Sequence, residues 1–328
     1  MQNYLSEEIE SADLNAQYDA HVRRILKDKN VLAYILIYSV EEFEGYTFEE
    51  AKAAIEGEPE VAARSVRPKK QSPDAVNGQS NESKLPGEGS ITFDIVFFVR
   101  TKSAEKRKLY INIEAQKSFY PGYDLTTRGV IYGARLLSEQ MDVEYTADDY
   151  DGAKKVYSIW ICMNTPNETK QHEDVADTIV EYAMNPKVIY APGEKENVKT
   201  GRYDLLSVVM ICLNNESTDS ENKLIGMLST LLSSKLSKEE KKSVLETEYK
   251  LPMTAEMESE ASIMCNLSYA ISEEAERKGI EKGIKKEIFR SVQDGDYGTK
   301  RGAEKLNITE EEFIKEMSAE GYKIPTPA

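Results

Sequence analysis

The chain has 328 residues and a mass of 37.0 kDa, enough for one large domain or two ordinary ones. Hydrophobic residues make up 40%, so a sizeable core can form, yet no run approaches the roughly 20 apolar residues of a membrane-spanning helix. A formal charge of −16, from 58 acidic and 42 basic residues, excludes a protein that coats nucleic acid through a generally basic surface, but not a local basic groove.

The first 30 residues are polar and mixed in charge, unlike a secretory signal. Cys162, Cys212 and Cys265 sit in separate apolar runs and read as buried thiols of a reducing cytoplasm. With only His21 and His172, a multi-histidine metal site is not expected.

Residues 1–60 read as helical. Val31 to Phe43 (VLAYILIYSVEEF) is apolar enough for a buried helix. Thr47 suits the cap of a second helix carrying Phe48, Ala51 and Ile55, which Gly57 and Pro59 would end. A short strand is expected at Val61–Val66. Residues 69–90, rich in Ser, Gln, Asn, Gly and Pro, predict a long mobile loop. ITFDIVFFV (91–99) and KLYINIEAQ (108–116) then predict a β-hairpin around a basic loop.

A helix is expected over Leu125–Gln140, and buried strands over Lys155–Met163 and Leu205–Leu213. Beyond residue 220 the chain turns helical and charged, so the expected division is 1–220 and 221–328. Ile280, Ile284 and Ile288 repeat at four-residue spacing within 273–289, a helix suited to self-association. Residues 302–317 read as two short helices around a turn, with Thr309 and Glu312 as a capping box. Glu310, Glu311, Glu312 and Glu316 against Lys315 favour a packing module over a DNA-reading one.

The hairpin holds the main chemical signal. With Ala104 as its midpoint, residues whose numbers sum to 208 face each other. Asp94 then lies opposite Glu114, and alternation puts Asn112 and Gln116 on that face. The other face collects Ile95, Phe97, Val99, Ile111, Ile113 and Ala115. Two carboxylates opposed in an apolar hairpin repel and are desolvated, so they need a positive partner. Mg²⁺ suits the role, with oxygen ligands and often one or two carboxylates plus a substrate phosphate. An edge hairpin with two solvated acids, or acids bonded to Lys or Arg, stays open on spacing alone. Arg100, Lys102, Lys106, Arg107 and Lys108 cluster in the hairpin loop, and Arg128 follows the motif, as candidate phosphate contacts for DNA. A solvated basic hairpin tip is the plain alternative for the loop residues.

Asp94, followed by Ile113-Glu114-Ala115-Gln116-Lys117, resembles the core of the PD-(D/E)XK nuclease superfamily. The likeness is to its transposase-associated branch, the PD-(D/E)XK nuclease family transposases related to the Rpn-like recombination-promoting nucleases. The segments 91–94, 110–117, 122–124, 156–164 and 264–269, and the Lys-Gly-Ile-Glu-Lys-Gly stretch, carry it further. The resemblance implies an α/β, restriction-endonuclease-like core of order αβββαβ, a mixed central sheet flanked by helices, with a helical C-terminal extension. It implies Mg²⁺ or Mn²⁺ held by Asp94, Glu114 and the Ala115 carbonyl. A further carboxylate comes from the first helix, Glu42 before Glu41; a solvated helix end is the alternative for either. Gln116 stands where the family's water-activating lysine is expected; glutamine positions water but carries no charge. Lys117 is adjacent, and alternation points it to the other face. The implied activity is a metal-dependent DNA endonuclease of recombination or transposition. A catalytically weak or inactive scaffold, and an RNA-directed nuclease, stay open.

Overall fold

The computed structural model describes residues 2–61, 94–102, 107–119, 121–165, 174–190, 201–213 and 218–324. The 69–90 segment, most of the expected 61–66 strand, Lys106 and His172 lie outside the described residues.

Four helical segments come first: α1 (Gln2–Leu26), α2 (Lys29–Ser39), a 3-10 turn (Glu41–Phe43) and α3 (Phe48–Ala53). Asp28 caps α2, its carboxylate accepting the Asn30 N–H at 2.8 Å. Thr47 caps α3 in a full capping box with Glu50. Strand β1 (Ile55–Val61) follows at once, so Gly57 and Pro59 sit inside a strand and do not end a helix. Both are tolerated because β1 is an edge strand, irregular between Glu56 and Glu60, with Gly57 at φ +67°.

Strands β2 (Ile95–Arg100) and β3 (Lys108–Ser118) form the antiparallel hairpin. Ile95 faces Ile113 and Arg100 faces Lys108, the register that sums to 208. Helix α4 (Leu125–Ser138) crosses to β4 (Val156–Asn164), parallel to β3. Strand β6 (Leu206–Cys212) is parallel to β4, and β5 (Thr178–Ala183) pairs antiparallel on its outer side. The result is a mixed, open six-stranded sheet in the order β1-β2-β3-β4-β6-β5. The central strands are buried on both faces, as parallel strands between helices are. Strand β5 was not expected: at the edge it buries little, so its hydrophobic signal is weak.

On one face Val96, Tyr110, Val156, Trp160, Val208 and Met210 pack with Leu125, Tyr132 and Leu136 of α4. Gly129 makes this approach possible: a Cβ there would lie 2.6 Å from a Val208 methyl and 3.0 Å from the Trp160 indole nitrogen. The alternate residues of β3 and β4, including Ile111, Ile113, Tyr157 and Ile159, are buried on the other face. Segments preceding the sheet reach that side. Tyr157 donates its hydroxyl to Glu42, and Lys117 lies over the Tyr18 ring.

Residues Ala16–Cys265 form one compact unit; Met1–Asn15 and Asn266–Ala328 form a second. Helices α5 (Lys223–Leu232) and α6 (Lys238–Thr247) belong to the first. Helix α7 (Ala255–Gln293) supplies residues to both. The second unit adds α8 (Thr299–Leu306) and α9 (Glu310–Ala319), the expected helix pair. Phe289, Val292, Ala303, Phe313 and Met317 form its core, while Ile280 and Ile284 are exposed. Thr309 and Glu312 make the expected capping box. No helix among the described residues is long and apolar enough to cross a membrane.

Within the first unit, Lys241 of α6 is fully buried and its ammonium makes no hydrogen bond of normal geometry among the described residues. Burial lowers its pKa, offset in part by the Cys265 thiol. Lys241→Met keeps the aliphatic stem and removes the charge. It should raise unfolding free energy by about 1–3 kcal/mol. Urea denaturation checks this, and an equal or lower midpoint contradicts it.

Candidate active site

Asp94 lies one residue before β2, so the register sets it opposite Glu114 of β3. The two are tied through the backbone in both directions. The Asp94 N–H donates to Glu114 Oε1 at 3.0 Å, and the Ala115 N–H donates to Asp94 Oδ2 at 3.0 Å. Arg23 of α1 donates to Asp94 Oδ1 at 3.3 Å. Glu114 is only 4% exposed. Burial pushes its carboxyl up to about 8, and the neighbouring Asp94 charge adds to this. Burial also raises Asp94, opposed by the Ala115 N–H and by Arg23.

Around this pair the sheet offers further polar groups. Asn112, two residues before Glu114 on the same face, is fully buried, and neither amide atom makes a hydrogen bond of normal geometry. Gln116, two residues after Glu114, is partly exposed. Lys117 alternates to the α1 side, with its ammonium 5.0 Å from the Tyr18 ring centre.

Helix α4 contributes Arg128. Asp124 caps the helix, accepting the Thr127 N–H at 2.6 Å, and so puts Arg128 in the first turn. Arg128 donates to the hydroxyls of Tyr132 at 2.6 Å and Tyr123 at 2.8 Å. Its guanidinium also lies 5.2 Å from the Trp160 ring centre. No carboxylate among the described residues pairs with it, yet its charge lowers the pKa of both Asp94 and Glu114. A 440 Å³ cleft opens beside it, lined by Tyr123, Asp124, Thr127, Arg128 and Ile131.

Sequence reasoning missed two residues of α1. Asp19 is half-buried; burial raises its pKa, Lys117 and Arg23 lower it, and Asp94 raises it further. A third carboxylate thus stands within electrostatic range of the pair. The available signal was the apolar stripe Tyr18, Val22, Ile25 and Leu26, which Asp19 and Arg23 flank one turn apart.

Other expected residues are not brought here. Glu42 accepts the Tyr157 hydroxyl at 2.6 Å and lies 3.2 Å from the Lys155 ammonium. Tyr157 pairs with Ile111, three residues before Glu114, so Glu42 is held on the opposite sheet face. Glu41 is exposed, 4.0 Å from Lys155. Arg100, Lys102, Arg107 and Lys108 lie at the far end of the hairpin, about 20 Å along the strands from the pair. There Arg100 pairs with Glu56, Lys102 with Glu50 and Lys108 with Glu144, each at 2.6 Å. The hairpin-loop cluster therefore does not flank the carboxylates, because an antiparallel hairpin separates its loop from its open end by the full strand length.

Glu114 makes the metal-free protein pH-sensitive. Its folded pKa of about 8 exceeds the ordinary 4.5, so its contribution is fully present below about 4.5 and is lost as pH rises towards 8. Glu114→Gln removes that loss. At pH 8 in chelator it should be more stable than wild type by on the order of 2 kcal/mol, with the gap closing at pH 5. Chemical denaturation at both values measures this; a less stable Glu114→Gln at pH 8 contradicts it.

Among the described residues no group of three or more His, Cys, Asp or Glu is arranged to hold a metal ion; the site offers two side-chain carboxylates linked through backbone N–H groups and a third in electrostatic range. Comparison with protein-family models, curated proteins and solved structures finds no match to this chain.

Proposed function

We propose that the chain is a divalent-metal-dependent DNA endonuclease with a restriction-endonuclease-like core, acting at Asp94 and Glu114. The observation that carries this is the buried, backbone-locked carboxylate pair in the expected register at the open end of the central hairpin. The order helix, three strands, helix, strand over α1 to β4 supports the same reading, as does the family resemblance of these segments.

The donor set suits a hard cation. Two acids share one small volume, and burial pushes both pKa values up. A divalent ion relieves that conflict, and Mg²⁺ commonly takes only one or two carboxylates. The buried amide of Asn112, which acts on Glu114 and lowers its pKa, is a further polar group for a hydrated ion. Asp94 and Glu114 would hold the metal. The Ala115 carbonyl is a further ligand candidate, since its N–H already points at Asp94. When bound, the ion polarises the phosphodiester and lowers the pKa of the attacking water.

The remaining work falls to the chain's own groups. Gln116, on the Glu114 side, orients water through its amide but brings no charge. Lys117 and Asp19, of opposite sign, act on each other electrostatically on the α1 side. Arg128 has no carboxylate partner among the described residues and is aimed by two tyrosine hydroxyls, so it can meet a phosphate. Its aromatic bed fixes the guanidinium before substrate arrives, which favours developing charge at the phosphorus oxygens.

The competing reading is a nuclease fold that binds without cutting. The Arg23–Asp94 ion pair favours it, because a resident cation already partners one carboxylate. DNA nicking with Mg²⁺ or Mn²⁺ separates the two. Wild type should nick plasmid DNA. Asp94→Asn and Glu114→Gln should each lose at least about 100-fold, and Arg128→Ala about 10- to 100-fold. No metal-dependent nicking by wild type, or equal nicking by Asp94→Asn, overturns the nuclease and leaves the scaffold.

A further inference from the structure

The other end of the sheet carries a second site. Strands β3, β4 and β6 run parallel, so the segments that lead into them meet at one end. Each of those segments carries at least one basic residue. Arg107 and Lys108 open β3, Lys154 and Lys155 precede β4, and Arg202 precedes β6. Arg100 joins them from the end of β2. These six cations line one cavity of about 860 Å³.

Among the described residues three carboxylates line it, Glu42, Glu144 and Asp204, against the six cations, in a chain of −16. Beside it Glu56 pairs with Arg100 and Glu41 lies 4.0 Å from Lys155. The cavity floor is built from buried charge. The Lys155 side chain is 8% exposed and held by Glu42 at 3.2 Å. Lys108 is held by Glu144 at 2.6 Å, and Tyr110 donates to the same carboxylate oxygen. Arg100 is paired with Glu56, and Lys154 and Arg202 line the cavity beside these pairs. Lys154 has no ion pair among the described residues, and its backbone is clamped on both sides by the buried Gln140 amide, at 2.7 and 3.0 Å. Arg202 donates one N–H to the Asp151 carbonyl at 2.6 Å and pairs with no carboxylate among the described residues. The Arg202 guanidinium and the Lys154 backbone are thus held by the fold before any ligand arrives.

We infer that this cavity binds a compact oligophosphate, through Lys154 and Arg202 above the Lys108 and Lys155 floor. Among the described residues Leu109 is the one large apolar side chain that lines it and no aromatic side chain does, so none of them stacks on a base. Recognition then falls on the phosphates alone. The acidic remainder of the chain repels anions at long range, which disfavours an extended polyanion such as DNA. A short ligand with several charges gathers the local positive field without meeting that repulsion. The volume is within the range of small-molecule sites. The site lies about 20 Å along β3 from Asp94 and Glu114, so it is independent of the nuclease reading.

Calorimetry with sodium tripolyphosphate, in chelator and with the full chain, tests it. Wild type should bind one tripolyphosphate per chain. ATP should bind within about threefold of it, because the base is not read, and orthophosphate much more weakly. Lys154→Gln with Arg202→Gln should weaken binding at least about tenfold, and so should raising salt from about 0.1 to about 0.4 M. Asp94→Asn should bind as wild type does. If the double variant loses its fold by circular dichroism, Arg202→Gln alone, at an exposed position, carries the expectation of a severalfold loss. Absence of saturable tripolyphosphate binding overturns the proposal. So does unchanged affinity in the folded variants, or binding of DNA but not tripolyphosphate.

Discussion

The pairing of Asp94 with Glu114 across the mouth of the hairpin is the constraint on which the rest depends. Each acid is fastened to the other's strand by a backbone N–H, so the carboxylates close the open end of the β2–β3 ladder. That arrangement is tolerable only while the charge is managed. Burial holds Glu114 largely protonated in the absence of a cation, and the fold brings guanidinium groups towards the pair from both sheet faces. Arg23 arrives on α1 and touches Asp94; Arg128 arrives on α4 and acts through its field. Helix α4 gets close enough because Gly129 has no side chain to meet Val208 and Trp160. A one-residue slip of β3 would turn Glu114 to the opposite face and bring Ile113 or Ala115 to its place.

Much of this was legible in the order of residues. The alternation of 91–99 and 108–116 fixed both strands, and the symmetric basic loop between them set the register that is observed. The caps at Thr47 and Thr309 were readable because a capping box is a local code. What failed depended on tertiary placement. Glu42 sat near a helix end in sequence, but only the chain path after α2 decides which sheet face it reaches, and that path leads to Tyr157 and Lys155. Asp19 and Arg23 belong to a helix whose role becomes visible only once it lies beside β3. Strand β5 has too little burial to announce itself, and β1 keeps a glycine and a proline that read locally as a break.

The two ends of the sheet differ in charge for a topological reason. The carboxylates lie where β2 begins and β3 nears its end; the cations lie where the parallel strands start. An acidic chain of −16 can therefore contain a local positive cavity without a basic surface. The same separation removes the loop cations from the catalytic proposal and leaves Arg128 as its phosphate-facing charge. On the proposed function, contact with DNA would rest on few cations, and affinity for the backbone should be modest and strongly reduced by salt.

The central claim is that the Asp94–Glu114 pair is completed by a divalent cation. Electron paramagnetic resonance of Mn²⁺ titrated into the metal-free protein reads this directly, without reference to any substrate. The account predicts one saturable Mn²⁺ site per chain, displaced by excess Mg²⁺, absent from Asp94→Asn and from Glu114→Gln, and unaffected by Lys154→Gln. Free Mn²⁺ signal that rises from the first addition, or a bound ion that both variants retain, would contradict it.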